Sequence, residues 1–140
     1  TPNKPVDAFE LEAFISGLRE GIKSRYDVQK KTYARKVERV KVLVQDLYQL
    51  VRERRNEPLI VLEPEGLQMR DALPRLRQLF SGANRVTLLI GSREGIPKGI
   101  YRIAGLVLDL APGITLSTEL AAPSALAAIY TALNITGEDL

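Results

Sequence analysis

The chain has 140 residues, 45% of them hydrophobic and 26% charged, a composition typical of one globular domain. It contains no histidine and no cysteine, so histidine acid–base catalysis, Ser-His-Asp triads, disulfides and the usual zinc sites are excluded, and we expect no metal. No hydrophobic run approaches the roughly 18 residues of a membrane span and the first residues do not resemble a signal peptide, so we expect a cytoplasmic protein without a membrane partner.

Asp7 and Glu10 have the three-residue spacing of a helix-capping box, so a first helix is expected to begin here. Hydrophobic residues then recur at helical spacing. Glycine weakens a helix interior, and Gly21 is a candidate for the end of this helix.

A second and longer hydrophobic stripe predicts a helix from Ser24 to Asn56. Residues 40–44 also alternate as a short strand does, with a helix from Gln45 as the alternative. The unbroken stripe favours one helix. It ends before Pro58, because the residue preceding a proline avoids the helical conformation.

Positive charge is concentrated in this part of the chain. Residues 19–55 contain twelve basic and five acidic side chains, a net charge of +7, whereas the whole chain carries +3. Such a segment can follow a phosphate backbone, or it can be the solvated face of an amphipathic helix. The excess charge favours an anionic partner, and the residues expected to contact it are Lys30, Lys31, Arg35 and Lys36.

Residues 58–140 alternate short hydrophobic strands with helical patterns. The predicted elements are strand 59–62, loop Glu63–Gly66, helix Met69–Phe80, strand Val86–Ile90, helix Ile96–Ala104, strand Leu106–Leu110 and helix Thr118–Leu133. Strands joined by helical crossovers run parallel, so we expect an α/β fold with a parallel sheet and helices on both faces. Because sheets usually have about five strands, the N-terminal part, a segment outside this sequence or a partner is expected to contribute more. We interpret 1–57 as a basic helical part and 58–140 as the α/β half of one structural domain.

Two loops follow strands in this half, at residues 91–95 (Gly-Ser-Arg-Glu-Gly) and 111–118. The carboxyl edge of a parallel sheet, where such loops meet, is the usual ligand site of open α/β folds. The first loop has neither the Lys-Ser/Thr of a phosphate-binding Walker loop nor the three glycines of a dinucleotide fingerprint. Its glycines can therefore reflect a ligand that approaches the backbone or only the sterics of a turn.

The polar side chains of these loops each have two interpretations. Arg93 can clamp a phosphate or be a solvated loop charge. Glu94 can accept hydrogen bonds from a ligand or stabilise the first turn of the next helix. Ser117 or Thr118 is expected to cap the last helix.

The last helix is unusually rich in small side chains, since residues 121–128 read Ala-Ala-Pro-Ser-Ala-Leu-Ala-Ala. Small side chains let another backbone come close, either that of its own sheet or that of a second copy of the chain. Pro123 is expected to bend this helix or to lie in its first turn.

Several motifs occur in a fixed order over the last half of the chain. Residues 60–66 read Ile-Val-Leu-Glu-Pro-Glu-Gly, residues 89–95 Leu-Ile-Gly-Ser-Arg-Glu-Gly, residues 114–118 Ile-Thr-Leu-Ser-Thr and residues 129–132 Ile-Tyr-Thr-Ala. In order and spacing they resemble the knotted half of SPOUT methyltransferases, most closely the branch that methylates a pseudouridine of the large ribosomal RNA. Thr118 stands where that branch has a histidine and Ser92 where it has a second glycine, so the target nucleotide does not carry over.

The resemblance implies a trefoil knot, S-adenosyl-L-methionine as cofactor, a homodimer, and methyl transfer to ribosomal or transfer RNA. Two alternatives keep the fold, namely a protein arginine methyltransferase and a non-catalytic RNA-binding dimer. A third is an ordinary Rossmann-like half-domain. The resemblance also implies which residues would line the cofactor-binding pocket, namely Leu62, Glu63, Gly91, Ser92, Glu94, Gly95, Ile96, Leu110, Ala111, Ile114, Thr115 and Leu116. Arg93, followed by Tyr130, would contact the acceptor.

Overall fold

A computed structural model describes residues 7–28, 43–91 and 95–134. Within these ranges the chain forms α1 (Ala8–Val28), α2 (Leu47–Glu53), β1 (Leu59–Gln68), α3 (Met69–Phe80), β2 (Thr87–Ile90), α4 (Lys98–Tyr101), β3 (Leu106–Asp109) and α5 (Thr118–Asn134). The chain divides into two compact units, residues 1–52 and residues 53–140, and each is described by itself.

Helix α1 begins as the capping box predicts. The backbone N–H of Glu10 donates to Asp7 Oδ1 at 2.8 Å. The helix does not end at Gly21, however, but continues to Val28. A single glycine in a helix interior costs only about 1 kcal/mol relative to alanine, which the neighbouring helix formers can offset.

The prediction of one helix from Ser24 to Asn56 is wrong. Residues 43–46 are not helical, and α2 starts a new helix at Leu47. Its start is capped by Asp46, whose Oδ1 accepts the Gln49 N–H at 3.0 Å. The alternative strand at 40–44 is absent at residues 43–44, and its first three residues lie outside the described ranges.

The described strands form a parallel sheet in the order β2-β1-β3, which confirms the predicted α/β fold class. The first strand in sequence is thus the central one. Residues 59–62 pair with β2, and residues 60–62 pair with β3 on the other side. Ile60 and Val61 point to opposite faces and are both fully buried, as expected for a strand covered on two faces.

Strand β1 runs through the stretch predicted as a loop, Glu63–Gly66, and ends at Gln68. Its ladder with β3 is interrupted there, because Leu62 and Leu67 both pair with Leu108. This bulge brings the two backbones close together. A Cβ at Gly66 would lie 2.5 Å from the carbonyl oxygen of Val107, so only glycine fits.

Helices α3 and α5 share one hydrophobic core with the sheet. The core residues are Ile60, Leu106 and Leu108 of the strands, Ala72 and Leu76 of α3, and Ile129 and Ala132 of α5. Pro123 lies inside α5, past its first turn, and Pro74 lies inside α3. Each proline leaves one carbonyl of the preceding turn without its helical N–H partner.

Helix α4 is shorter than the predicted span Ile96–Ala104. It begins after Pro97 and ends at Tyr101. Beyond its end, the N–H groups of Ile103 and Ala104 both donate hydrogen bonds to the carbonyl of Ile100. The loop between β2 and α4 contains residues 92–94, which lie outside the described ranges. The trefoil knot therefore stays a prediction.

Candidate functional site

A cleft of about 250 Å³ lies at the carboxyl ends of β2 and β3, beside the point where the ladder between β1 and β3 is interrupted. We call it the strand-end cleft, and its lining residues are Leu62, Glu63, Pro64, Ile90, Gly91, Gly95, Leu108, Asp109, Leu110, Ala111, Ile114, Thr115, Leu116 and Ala121. It occupies the edge of the sheet at which ligands bind in open α/β folds. Its volume is close to the lower end of the roughly 300–1,000 Å³ typical of ligand sites.

Nine of the twelve residues predicted to bind a cofactor line this cleft. Of the other three, Ile96 is not part of the lining, and Ser92 and Glu94 lie outside the described ranges. The structure thus brings the predicted segments together, and their role in cofactor binding stays a prediction.

Sequence reasoning missed five lining residues, which are Pro64, Ile90, Leu108, Asp109 and Ala121. Asp109 had a readable signal, because it is the last but one residue of the predicted strand Leu106–Leu110 and therefore lies near the carboxyl edge. Ala121 had none, since the position of α5 against the sheet depends on tertiary packing.

Glu63 is the best-connected side chain of the cleft. Its Oε1 accepts a hydrogen bond from the Ile96 N–H at 2.9 Å. The same oxygen lies 3.1 Å from where a Cβ would stand at Gly91, and 3.3 Å from the equivalent point at Gly95. Gly95 also has a φ of +73°, which glycine adopts without strain. The carboxylate therefore lies against the backbone at both ends of the 91–95 loop.

Tyr101 of α4 contacts the same carboxylate. Its hydroxyl is hydrogen-bonded to Glu63. Partial burial raises the pKa of Tyr101, and the negative charges of Glu63 and Glu65 raise it further. The phenol therefore keeps its proton, and its ability to donate, throughout the neutral pH range.

A second contact joins the loop after β2 to the last helix. The Thr118 hydroxyl donates to the carbonyl of Gly91 at 3.2 Å. Of the two residues predicted as helix cap, Ser117 occupies the position before α5, and its carbonyl accepts the N–H groups of Leu120 and Ala121. The hydroxyl of Thr118 instead connects two walls of the strand-end cleft.

Residues 1–139 match the sequence pattern of a family described as "AF2226-like SPOUT RNA Methylase fused to THUMP". The chain belongs to this family. The resemblance to SPOUT methyltransferases is thereby confirmed, while the ribosomal pseudouridine branch stays a prediction. The chain is also similar to the uncharacterized protein MJ0421 of Methanocaldococcus jannaschii, with 42% identity over 141 residues. That alignment covers 99% of this SPOUT chain but only 39% of the relative, so the chain spans about two fifths of that protein.

The residues proposed for catalysis and RNA contact lie away from the described cleft or outside the described ranges. Tyr130 of this SPOUT chain is 72% exposed on α5 and does not line the cleft. Arg93 falls in the undescribed part of the 91–95 loop, and the four basic residues within 30–36 fall between α1 and residue 43.

Two further observations concern the described part of this SPOUT chain. No group of three or more acidic, histidine or cysteine side chains there is arranged to hold a metal ion. Among the helices of the same ranges, none combines the length and hydropathy needed to cross a membrane.

Proposed function

We propose that this chain is the catalytic part of an RNA methyltransferase that uses S-adenosyl-L-methionine, and that the strand-end cleft holds this cofactor. The observation that carries the proposal is the convergence of Leu62, Glu63 and Pro64 of β1 with the segments after β2 and β3 on one cleft, in a chain of the SPOUT RNA methylase family. The matched relative is longer than the part that this chain covers, and regions equivalent to the rest of it would share in choosing the substrate.

The lining of the cleft fits the chemistry of this cofactor. Hydrophobic side chains such as Leu110 and Ile114 suit the flat adenine ring, and Gly91 and Gly95 contribute backbone groups with no side chain of their own to cover them. Asp109 adds a carboxylate suited to the cofactor's hydroxyl or ammonium groups. When bound, the cofactor supplies a methyl group on a positively charged sulfur, ready for displacement by a nucleophile.

The protein's contribution to such a reaction is chiefly positioning. A methyl transfer in one displacement needs two reactants held in line, and orientation alone can account for about 7–11 kcal/mol of a barrier. The loops of the cleft would hold one reactant, and the basic segment would hold the phosphates of the other. Exposed Arg19 and Lys23 of α1 belong to that segment, together with the proposed RNA contacts at 30–36.

The direct test is isothermal titration of the chain with S-adenosylhomocysteine, followed by transfer of labelled methyl groups to total RNA and to total protein. We expect binding of the ligand and label in RNA. Label in protein alone would favour the arginine methyltransferase alternative. Absence of binding to the folded chain would contradict the cofactor site and favour the non-catalytic RNA-binding dimer.

We also propose that the protein is a homodimer and that α5 forms its interface. Helix α5 contains a single charged residue, Glu119, in 17 positions. Its outward half carries Leu120, Leu126 and Tyr130, each more than half exposed. An exposed hydrophobic stripe on a weakly charged helix is typical of a self-complementary contact.

We expect Leu126→Lys to convert the dimer into a monomer, because the new charge would be buried against its own symmetry copy. The matched control is Ile103→Lys, since Ile103 is 57% exposed and Leu126 is 64% exposed. Light scattering measures the mass of both variants. A wild-type monomer, or equal masses for the wild type and Leu126→Lys, would contradict the α5 interface.

A further inference from the structure

Glu63 connects three elements of the strand-end cleft. It lies in β1 at the point where the ladder with β3 is interrupted. Its carboxylate accepts the Ile96 N–H at 2.9 Å and the hydroxyl of Tyr101, the last residue of α4. One half-buried side chain therefore fastens both the end of the 91–95 loop and the helix that follows it.

The contacts of Glu63 are made with the protein. Oε1 is already used by the Ile96 N–H, a charge-assisted hydrogen bond of the stronger kind. A Cβ built at Gly91 or at Gly95 would lie only 3.1 or 3.3 Å from this oxygen, so the backbone at both glycines lies close to the carboxylate. Neighbouring Glu65 faces Lys98 Nζ at 3.7 Å instead, in an exposed pair.

We propose that Glu63 is a positioning residue, whose acceptor oxygen holds the backbone at Gly95 and Ile96 in the arrangement that the cofactor requires. The proposal rests on the proposed function for the identity of that ligand. It differs from a direct electrostatic role, in which the negative charge of Glu63 would contact the positively charged sulfur of the cofactor. The two roles predict different responses to loss of the charge alone.

The test compares Glu63→Ala, which removes the acceptor, with Glu63→Gln, which keeps an acceptor oxygen and removes the charge. Isothermal titration measures binding of S-adenosylmethionine, which is charged at sulfur, and of S-adenosylhomocysteine, which is not. We expect Glu63→Ala to weaken both ligands about tenfold or more, as for the loss of one charge-assisted hydrogen bond, and Glu63→Gln to stay within about threefold of the wild type. Glu65→Ala is the matched control and should bind as the wild type does.

Hydrogen exchange of the Ile96 amide in the ligand-free protein gives an independent readout. We expect faster exchange in Glu63→Ala and wild-type protection in Glu63→Gln. Unchanged protection and binding in Glu63→Ala would overturn the proposal, as would a Glu63→Gln variant that loses S-adenosylmethionine far more than S-adenosylhomocysteine. If the wild type binds neither ligand, the proposed function fails, while the exchange rate of Ile96 still decides the positioning role.

Discussion

Replacement of Gly66 by alanine is expected to destabilise the α/β unit by about 3 kcal/mol, at the upper end of the usual cost of overpacking. The new Cβ would lie 2.5 Å from the carbonyl oxygen of Val107 and 2.7 Å from the nitrogen of Leu108. Both obstacles are backbone atoms of a paired strand, so they cannot move aside as a side-chain end can. Thermal unfolding followed by circular dichroism measures the loss, which for a unit of this size is a drop of about 10 °C or more.

Gly99→Ala is the control for this substitution. Gly99 lies in α4, and a Cβ built there meets no atom within 4 Å. We expect its unfolding free energy to change by no more than about 0.5 kcal/mol. Equal melting temperatures for Gly66→Ala and Gly99→Ala would contradict the close approach of β1 and β3 at the bulge.

Ala121→Leu is expected to weaken cofactor binding strongly while leaving the fold intact. Ala121 is the α5 residue that lines the strand-end cleft, and three additional carbon atoms would occupy part of its volume of about 250 Å³. Leucine is nearly as good a helix former as alanine, so α5 is retained. Isothermal titration with S-adenosylhomocysteine should show affinity reduced by about tenfold or more.

The same substitution at Ala127, an exposed position of the same helix, separates a blocked cleft from a general effect on α5. We expect Ala127→Leu to bind S-adenosylhomocysteine as the wild type does. Light scattering on both variants shows whether assembly has changed, because Ala127 lies beside the proposed dimer contact. Undiminished binding by Ala121→Leu would place the ligand elsewhere.

Much of the α/β half could be predicted because its signals are local. The unbroken apolar run at 59–62 indicates a strand buried on both faces, and the helical spacing at 69–80 matches α3 at both ends. Glycine and proline mark the loops after the strands, and parallel topology brings those loops to one edge. These rules are sufficient to assemble most of the cleft from sequence.

The features that escaped prediction depend on distant partners or on competing signals. The sequence predicts a turn at the bulge Glu63–Gly66, because its proline and glycine are local signals typical of turns. The backbone of Val107, which constrains the bulge, comes some forty residues later. The contact of Glu63 with Ile96 is equally long-range. Near residue 46 the hydrophobic stripe suggested one helix, but the capping contact between Asp46 and Gln49 starts a new one.

The position of β1 also has a consequence for how this chain reaches its native state. The strand is synthesised first, yet Leu59 pairs with Thr87, 28 residues later, and Ile60 pairs with Leu106, 46 residues later. The backbone hydrogen-bonding groups on the two sides of β1 cannot pair with a neighbouring strand through a hairpin. Two large loops must therefore close before all of these groups are paired. On the ribosome, this apolar segment stays unpaired until most of the unit has been made, a period in which it is open to aggregation or to capture by chaperones.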